Sequence, residues 1–135
     1  MMKTIKTILT SVILITLFSV SVMAQSGAKV IAVVNRADWC PTCEKNGERA
    51  MAALMENNKD GVFQFVVNDL TNDETKAESA KKLKKVDVHQ AVSEFNSTGM
   101  VYFFNAETKE LLNKISVAKS DKKLALAMTD VKKSL

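Results

Sequence analysis

The 135-residue chain is poor in the residues that build metal sites, linkers and multiple spans. It has two cysteines, one histidine, one proline, one tryptophan and four glycines. Two thiolates leave a tetrahedral metal site half filled, and the single histidine, His89, lies far from them in sequence with no companion ligand. No stripe of Lys and Arg interleaved with aromatics is present, which excludes a nucleic-acid-binding face. One apolar stretch, Ile8 to Val20, is shorter than the ~20 residues a spanning helix needs and carries Ser and Thr, so a multi-span membrane protein is excluded. No repeat, low-complexity tract or Pro/Gly/Ser linker divides the chain, and its length suits one domain.

What is present begins with an export pattern. Lys3 and Lys6, the apolar stretch and Val22-Met23-Ala24 are the charged, apolar and small-residue parts of a secretory signal peptide. Residues 1–24 are expected to be that signal, cut after Ala24, with residues 25–135 as the domain. The alternative is an uncleaved anchor; either way the domain is expected outside the cytoplasm, periplasmic or secreted. The residue directly after Ala24 is Gln25, not a cysteine that could take a lipid. The formal charge of +4 includes Lys3 and Lys6 and falls to +2 without them, too little to argue for a polyanionic partner.

Patterning then predicts the elements. Lys29 to Arg36 holds Val30-Ile31-Ala32-Val33-Val34, an unbroken β-branched run suited to a central strand covered on both faces. Pro41 to about Asn58 spaces Ala50, Met51, Leu54 and Met55 as one face of a helix, broken at Asp60-Gly61. Val62 to Val67 is a second strand. Thr71 with Glu74, and more loosely Asp87 with Gln90, resemble capping boxes opening helices near Asn72–Lys84 and Val88–Phe95. Met100–Phe104 and Glu110–Val117 form a hairpin across Asn105–Lys109. Ser120 caps a last helix with an apolar face of Leu124, Ala127, Met128, Val131 and Leu135. The order β-α-β-α-β-β-α predicts an α/β fold: a mixed four-stranded sheet flanked by helices, with a parallel pair and an antiparallel hairpin. Met51, Met55, Met100 and Met128 are expected in the core. The lysines 81, 82, 84 and 85 read as a solvated helix face.

Both cysteines lie where chemistry collects in such sheets, beyond the carboxyl end of a strand, in Asp38-Trp39-Cys40-Pro41-Thr42-Cys43. If Cys40 is the N-cap, Pro41 falls at the first helical position and the Cys43 N–H points back to the Cys40 sulfur. That hydrogen bond and the helix dipole favour thiolate over thiol, making Cys40 the expected nucleophile. Cys43, one turn in and expected to be more covered, is the resolving thiol. A merely structural staple is a weaker account, because a four-residue loop yields only about 2 kcal/mol. A thiolate metal site is a third possibility.

Trp39-Cys40-Pro41-Thr42-Cys43, between a strand and a helix, resembles the active-site motif of the thioredoxin family, and the order of elements from Lys29 to Leu135 resembles a minimal thioredoxin-like fold. The resemblance implies a thiol–disulfide oxidoreductase with Cys40 as nucleophile and Cys43 resolving, Trp39, Pro41 and Thr42 beside the substrate, and Thr98-Gly99 on the facing loop. Two departures stand out. Gly99 occupies the place of the family's cis-proline, and Val34 that of a buried acid six positions before the nucleophile. Deprotonation of Cys43 is then left to water, Asp38, Glu44 or Lys45, and slower resolution is expected. Trp39 serves equally as a partner contact or as a lid on the sheet edge.

The expected function is therefore an exported, monomeric oxidoreductase exchanging disulfides with protein dithiol or disulfide substrates, without a bound cofactor or metal and reset by a redox partner. The alternatives are a non-catalytic thioredoxin-like binding module with a fixed Cys40–Cys43 disulfide, and a metal carrier completed by a second chain.

Overall fold

The computed structural model describes residues 27–135, so the expected export signal lies outside the described residues. Eight elements follow in order: β1 Val30–Arg36, α1 Pro41–Glu56, β2 Phe63–Asp69, α2 Asp73–Lys85, the short α3 His89–Val92, β3 Met100–Asn105, β4 Leu111–Ser116 and α4 Asp121–Lys133. The strands form one mixed sheet in the order β2-β1-β3-β4. β1 runs parallel to β2 and antiparallel to β3, and β3–β4 is the expected hairpin. This is the α/β arrangement that the patterning predicts, a mixed four-stranded sheet flanked by helices, and it agrees with the minimal thioredoxin-like fold that the resemblance implies.

Alternation along β1 assigns its residues to two cores. Val30, Ala32 and Val34 pack under α1 and α4 with Ala50, Leu54, Phe63, Phe103, Leu124 and Met128. Ile31 and Val33 face the other way, against Leu83, Val88, Val92, Tyr102 and Phe104. A central strand sandwiched between helices needs apolar residues at both parities, which is why β1 reads as an unbroken run.

Several local expectations are corrected. Helix α2 is opened by Asn72, whose side chain accepts from the Thr75 N–H while Thr75 Oγ1 accepts from the Asn72 N–H. The capping box is thus one residue later than Thr71–Glu74, because Thr71 is engaged elsewhere. Asp87 has φ +58° and caps nothing; the N-cap of α3 is Val88, which supplies no side-chain hydrogen bond. Met55 and Leu135 are exposed, Met55 because it lies off the buried Ala50–Leu54 face and Leu135 because α4 ends before it. Ser120 caps α4 as expected, accepting from the Lys123 N–H at 3.3 Å.

Candidate functional site

The end of β1 and the start of α1 carry the two cysteines. Cys40 is the N-cap of α1 with extended backbone angles, Pro41 follows at the first helical position, and the Cys43 N–H donates to Cys40 Sγ at 3.2 Å. The two sulfurs are joined as a disulfide with the Cα atoms 5.3 Å apart. The cap geometry that the sequence suggests is therefore present: one sulfur sits over the helix N-terminus and accepts a backbone N–H.

The coverage of the two cysteines is the reverse of the expectation. Cys40 is 4% exposed, whereas Cys43 is only half-buried. Two local features account for this. Gly99 closes over Cys40 from the end of the facing loop: a Cβ added there would lie 3.7 Å from the Cys40 sulfur. On the other side, Gly47 leaves the flank of α1 bare one turn beyond Cys43, and nothing lies within 4 Å of where its Cβ would be.

The bare flank opens into a cavity of about 320 Å³ lined by Val34, Cys43, Gly47, Met51, Val67 and Val117 among others, with Arg36, Glu44 and Glu48 as its charged walls. Cys43 lines it and Cys40 does not. Val34 forms part of its apolar wall. Of the three residues expected to help deprotonate Cys43, Glu44 shares this cavity with it, Asp38 is tied up by Arg36, and Lys45 is exposed outside the lining.

The motif is fastened to the sheet by groups that sequence reasoning missed. Arg36, in register with Asp69 on β2, donates to Asp69 at 2.6 Å and to Asp38 at 2.7 Å. Thr71 is the hub: its Oγ1 accepts from the Asp38 N–H at 2.9 Å and donates to Asp69 Oδ1 at 2.5 Å, and its carbonyl accepts from Trp39 Nε1 at 3.1 Å. The Arg36 guanidinium is pushed above its usual value, first by its bond to Asp38. For Asp69, desolvation pushes upward but is outweighed by hydrogen bonds from Thr71 and the charge of Arg36, so its carboxyl is held below its ordinary 3.8. Trp39, tethered only by its ring N–H, is 61% exposed; it is a projecting side chain, not a lid. No sequence signal marks Thr71, since its role depends on β2 pairing beside β1.

A second anchor holds the facing loop. Asn35 is fully buried; its Nδ2 donates to the Phe95 carbonyl and its Oδ1 accepts from Asn68 Nδ2, both at 2.9 Å. Its main-chain carbonyl accepts from the Gly99 N–H at 2.8 Å, and the Gly99 carbonyl accepts from the Val117 N–H at 2.9 Å. Gly99, buried and with φ +75°, is thus pinned opposite the disulfide with Pro41 exposed and Thr42 and Thr98 half-buried around it. The structure brings Trp39, Cys40, Pro41, Thr42, Cys43, Thr98 and Gly99 to one end of the sheet.

Among the described residues, no group of three or more His, Cys, Asp or Glu is placed to hold a metal, and His89 is exposed on α3. Among them, too, no helix is long and apolar enough to cross a membrane.

No family model matches the chain, and no curated protein does. Among solved structures it is similar to Trxlp from Edwardsiella tarda EIB202, at 17% identity and a TM-score of 0.46, covering 79% of this chain and 88% of that one. A likeness so distant carries no argument about chemistry, which must come from the site itself.

Proposed function

We propose that the protein is a thiol–disulfide oxidoreductase that exchanges disulfides with protein dithiol or disulfide substrates. The observation that carries the reading is the disulfide at the end of β1 in which one sulfur caps a helix and accepts the neighbouring cysteine's N–H. On reduction the same N–H and helix dipole stabilise the Cys40 thiolate. That thiolate attacks one sulfur of a substrate disulfide; the substrate's other sulfur leaves as thiolate and Cys40 holds the mixed disulfide. Cys43, deprotonated, then attacks the Cys40 sulfur, the substrate leaves as its second thiolate, and the Cys40–Cys43 bond re-forms. Two electrons pass to the substrate, and a redox partner supplies two more to re-reduce the Cys40–Cys43 disulfide. No bound cofactor is needed. Trp39, exposed beside the motif, together with Pro41, Thr42, Thr98 and Gly99, supplies the substrate-facing surface. We place this activity outside the cytoplasm, after removal of residues 1–24, with the domain acting as a monomer.

The test is to trap the intermediate. A Cys43→Ser variant incubated with a disulfide-bonded peptide should accumulate one peptide per chain on Cys40, while the wild type turns over. Failure of Cys43→Ser to form the adduct, with the wild-type disulfide equally inert, would favour the second reading. That reading is a binding module with a fixed disulfide, and the near-complete cover over Cys40 is the observation in its favour.

A further inference from the structure

We propose that the oxidised protein is reset by a low-molecular-weight thiol without net negative charge outside its sulfur, which enters the cavity beside α1 and attacks Cys43 rather than Cys40. The inference rests on the redox reading above and names the partner of the same disulfide.

Access is the first argument. In the oxidised protein Cys40 lies under the Gly99 loop whereas Cys43 forms part of the cavity wall, so an incoming small thiolate meets Cys43 first; attack by Cys40 on a substrate, a step of the reduced protein, requires that loop to yield. The space of about 320 Å³ is sized for a small molecule and not for a folded partner. Val34, Met51, Val67 and Val117 give it an apolar interior, and the side-chain-free stretch at Gly47 keeps the approach along α1 clear.

The leaving group is the second argument. Exchange is faster when the displaced sulfur is the better-stabilised thiolate. Attack on Cys43 expels Cys40, which already accepts the Cys43 N–H at the N-terminus of α1. Attack on Cys40 would expel Cys43, to whose sulfur no such donor is directed among the described residues. Access and leaving-group stability thus select the same sulfur. The incoming RS⁻ forms an RS–SγCys43 bond, the Cys40–Cys43 bond breaks, and its electron pair stays on Cys40. A second RS⁻ then attacks the external sulfur, releasing the Cys43 thiolate and RSSR, so two small thiols supply the two electrons.

Charge chooses the class of thiol. Among the described residues Arg36 is the one cation of the lining, and it is already paired with both Asp38 and Asp69. Glu44 and Glu48, both exposed, carry no ion pair among the described residues and leave the mouth acidic. An ammonium-bearing thiol is drawn in, a neutral one is admitted, and a carboxylate-bearing one is repelled.

The experiment uses the oxidised protein with cysteamine, 2-mercaptoethanol and 3-mercaptopropionate, quenched in acid, with free thiols alkylated and the adducts mapped by peptide mass. The first adduct should lie on Cys43 with the alkyl group on Cys40, and rates per thiolate should fall in the order given. Neutralising the mouth with Glu44→Gln and Glu48→Gln together should compress the ratio between the first and last thiol by about fivefold at low ionic strength. A Gly47→Leu side chain, placed where the Cβ meets nothing, should slow all three. An adduct on Cys40 would overturn the inference while leaving the oxidoreductase reading in place. Equal rates for the three thiols would overturn the choice of occupant. Complete resistance to all three in excess would overturn both the inference and the reading it rests on.

Discussion

Gly99 and Thr42 meet across the disulfide so closely that a Cβ on Gly99 would lie 3.2 Å from Thr42 Cγ2, and Gly99 holds φ +75°. The loop facing the cysteines is therefore built around the absence of a side chain. Gly99→Ala should cost about 1–2 kcal/mol from the left-handed backbone alone, before Thr42 yields any ground. Gly99→Pro cannot adopt this φ and deletes the N–H that the Asn35 carbonyl accepts. It should cost about 3 kcal/mol or more, measured by urea unfolding. A proline variant as stable as the parent would show that the loop is free to rebuild.

The helix-capping role of Cys40 is separable from its bond to Cys43. Under reducing conditions Cys40→Ser keeps an oxygen acceptor for the Cys43 N–H, whereas Cys40→Ala leaves that donor without one. The alanine variant should be less stable than the serine variant by about 1 kcal/mol. Equal stabilities would mean that the cap contributes nothing once the disulfide is open.

The carboxyl of Asp69 should make stability depend on pH in the acid range. Its folded-state value lies below 3.8, so its contribution is complete above the unfolded value and is lost as pH falls through the folded one. Asp69→Asn should therefore be less stable than the wild type near neutrality, with the gap closing as the solution is acidified. Thr71→Val removes the acceptor of the Asp38 N–H and the hydroxyl donor to Asp69, at a cost of about 1–2 kcal/mol. A gap that widens on acidification would contradict the assignment.

The buried amide pair should be the most sensitive polar contact in the domain. Asn35→Leu leaves the Phe95 carbonyl and the Asn68 amide without their partner, and should cost about 2–4 kcal/mol. Because the Asn35 side chain ties down the loop that ends at Gly99, the variant should also expose Cys40 in the reduced protein to faster alkylation than the wild type. Destabilisation without any change in alkylation would separate the pair from the site.

The fold was legible where one face or one run of residues decides it. Val30–Val34 announces a strand buried on both sides, and Leu124, Ala127, Met128 and Val131 announce the face of α4. The cysteine site was legible as a local pattern, since the cap at Cys40 depends only on the next three residues. What was not legible depends on residues brought together from afar. The relative cover of Cys40 and Cys43 is set by Gly99 and Gly47, and glycine announces nothing about what its missing side chain exposes. The local pattern suggests a helix cap at Thr71, whereas its partners Asp38 and Trp39 lie across the junction of two strands. Asn35 and Asn68 lie in register on β1 and β2, and only strand pairing joins them.

Whether the Cys40–Cys43 disulfide is a working redox centre is decided by equilibrating the purified protein with glutathione buffers and quantifying both thiols by alkylation. A working centre should show a reversible two-electron transition between about −120 and −270 mV, with both cysteines appearing together. A disulfide that stays closed below about −300 mV would contradict it and identify a structural bond in a binding domain.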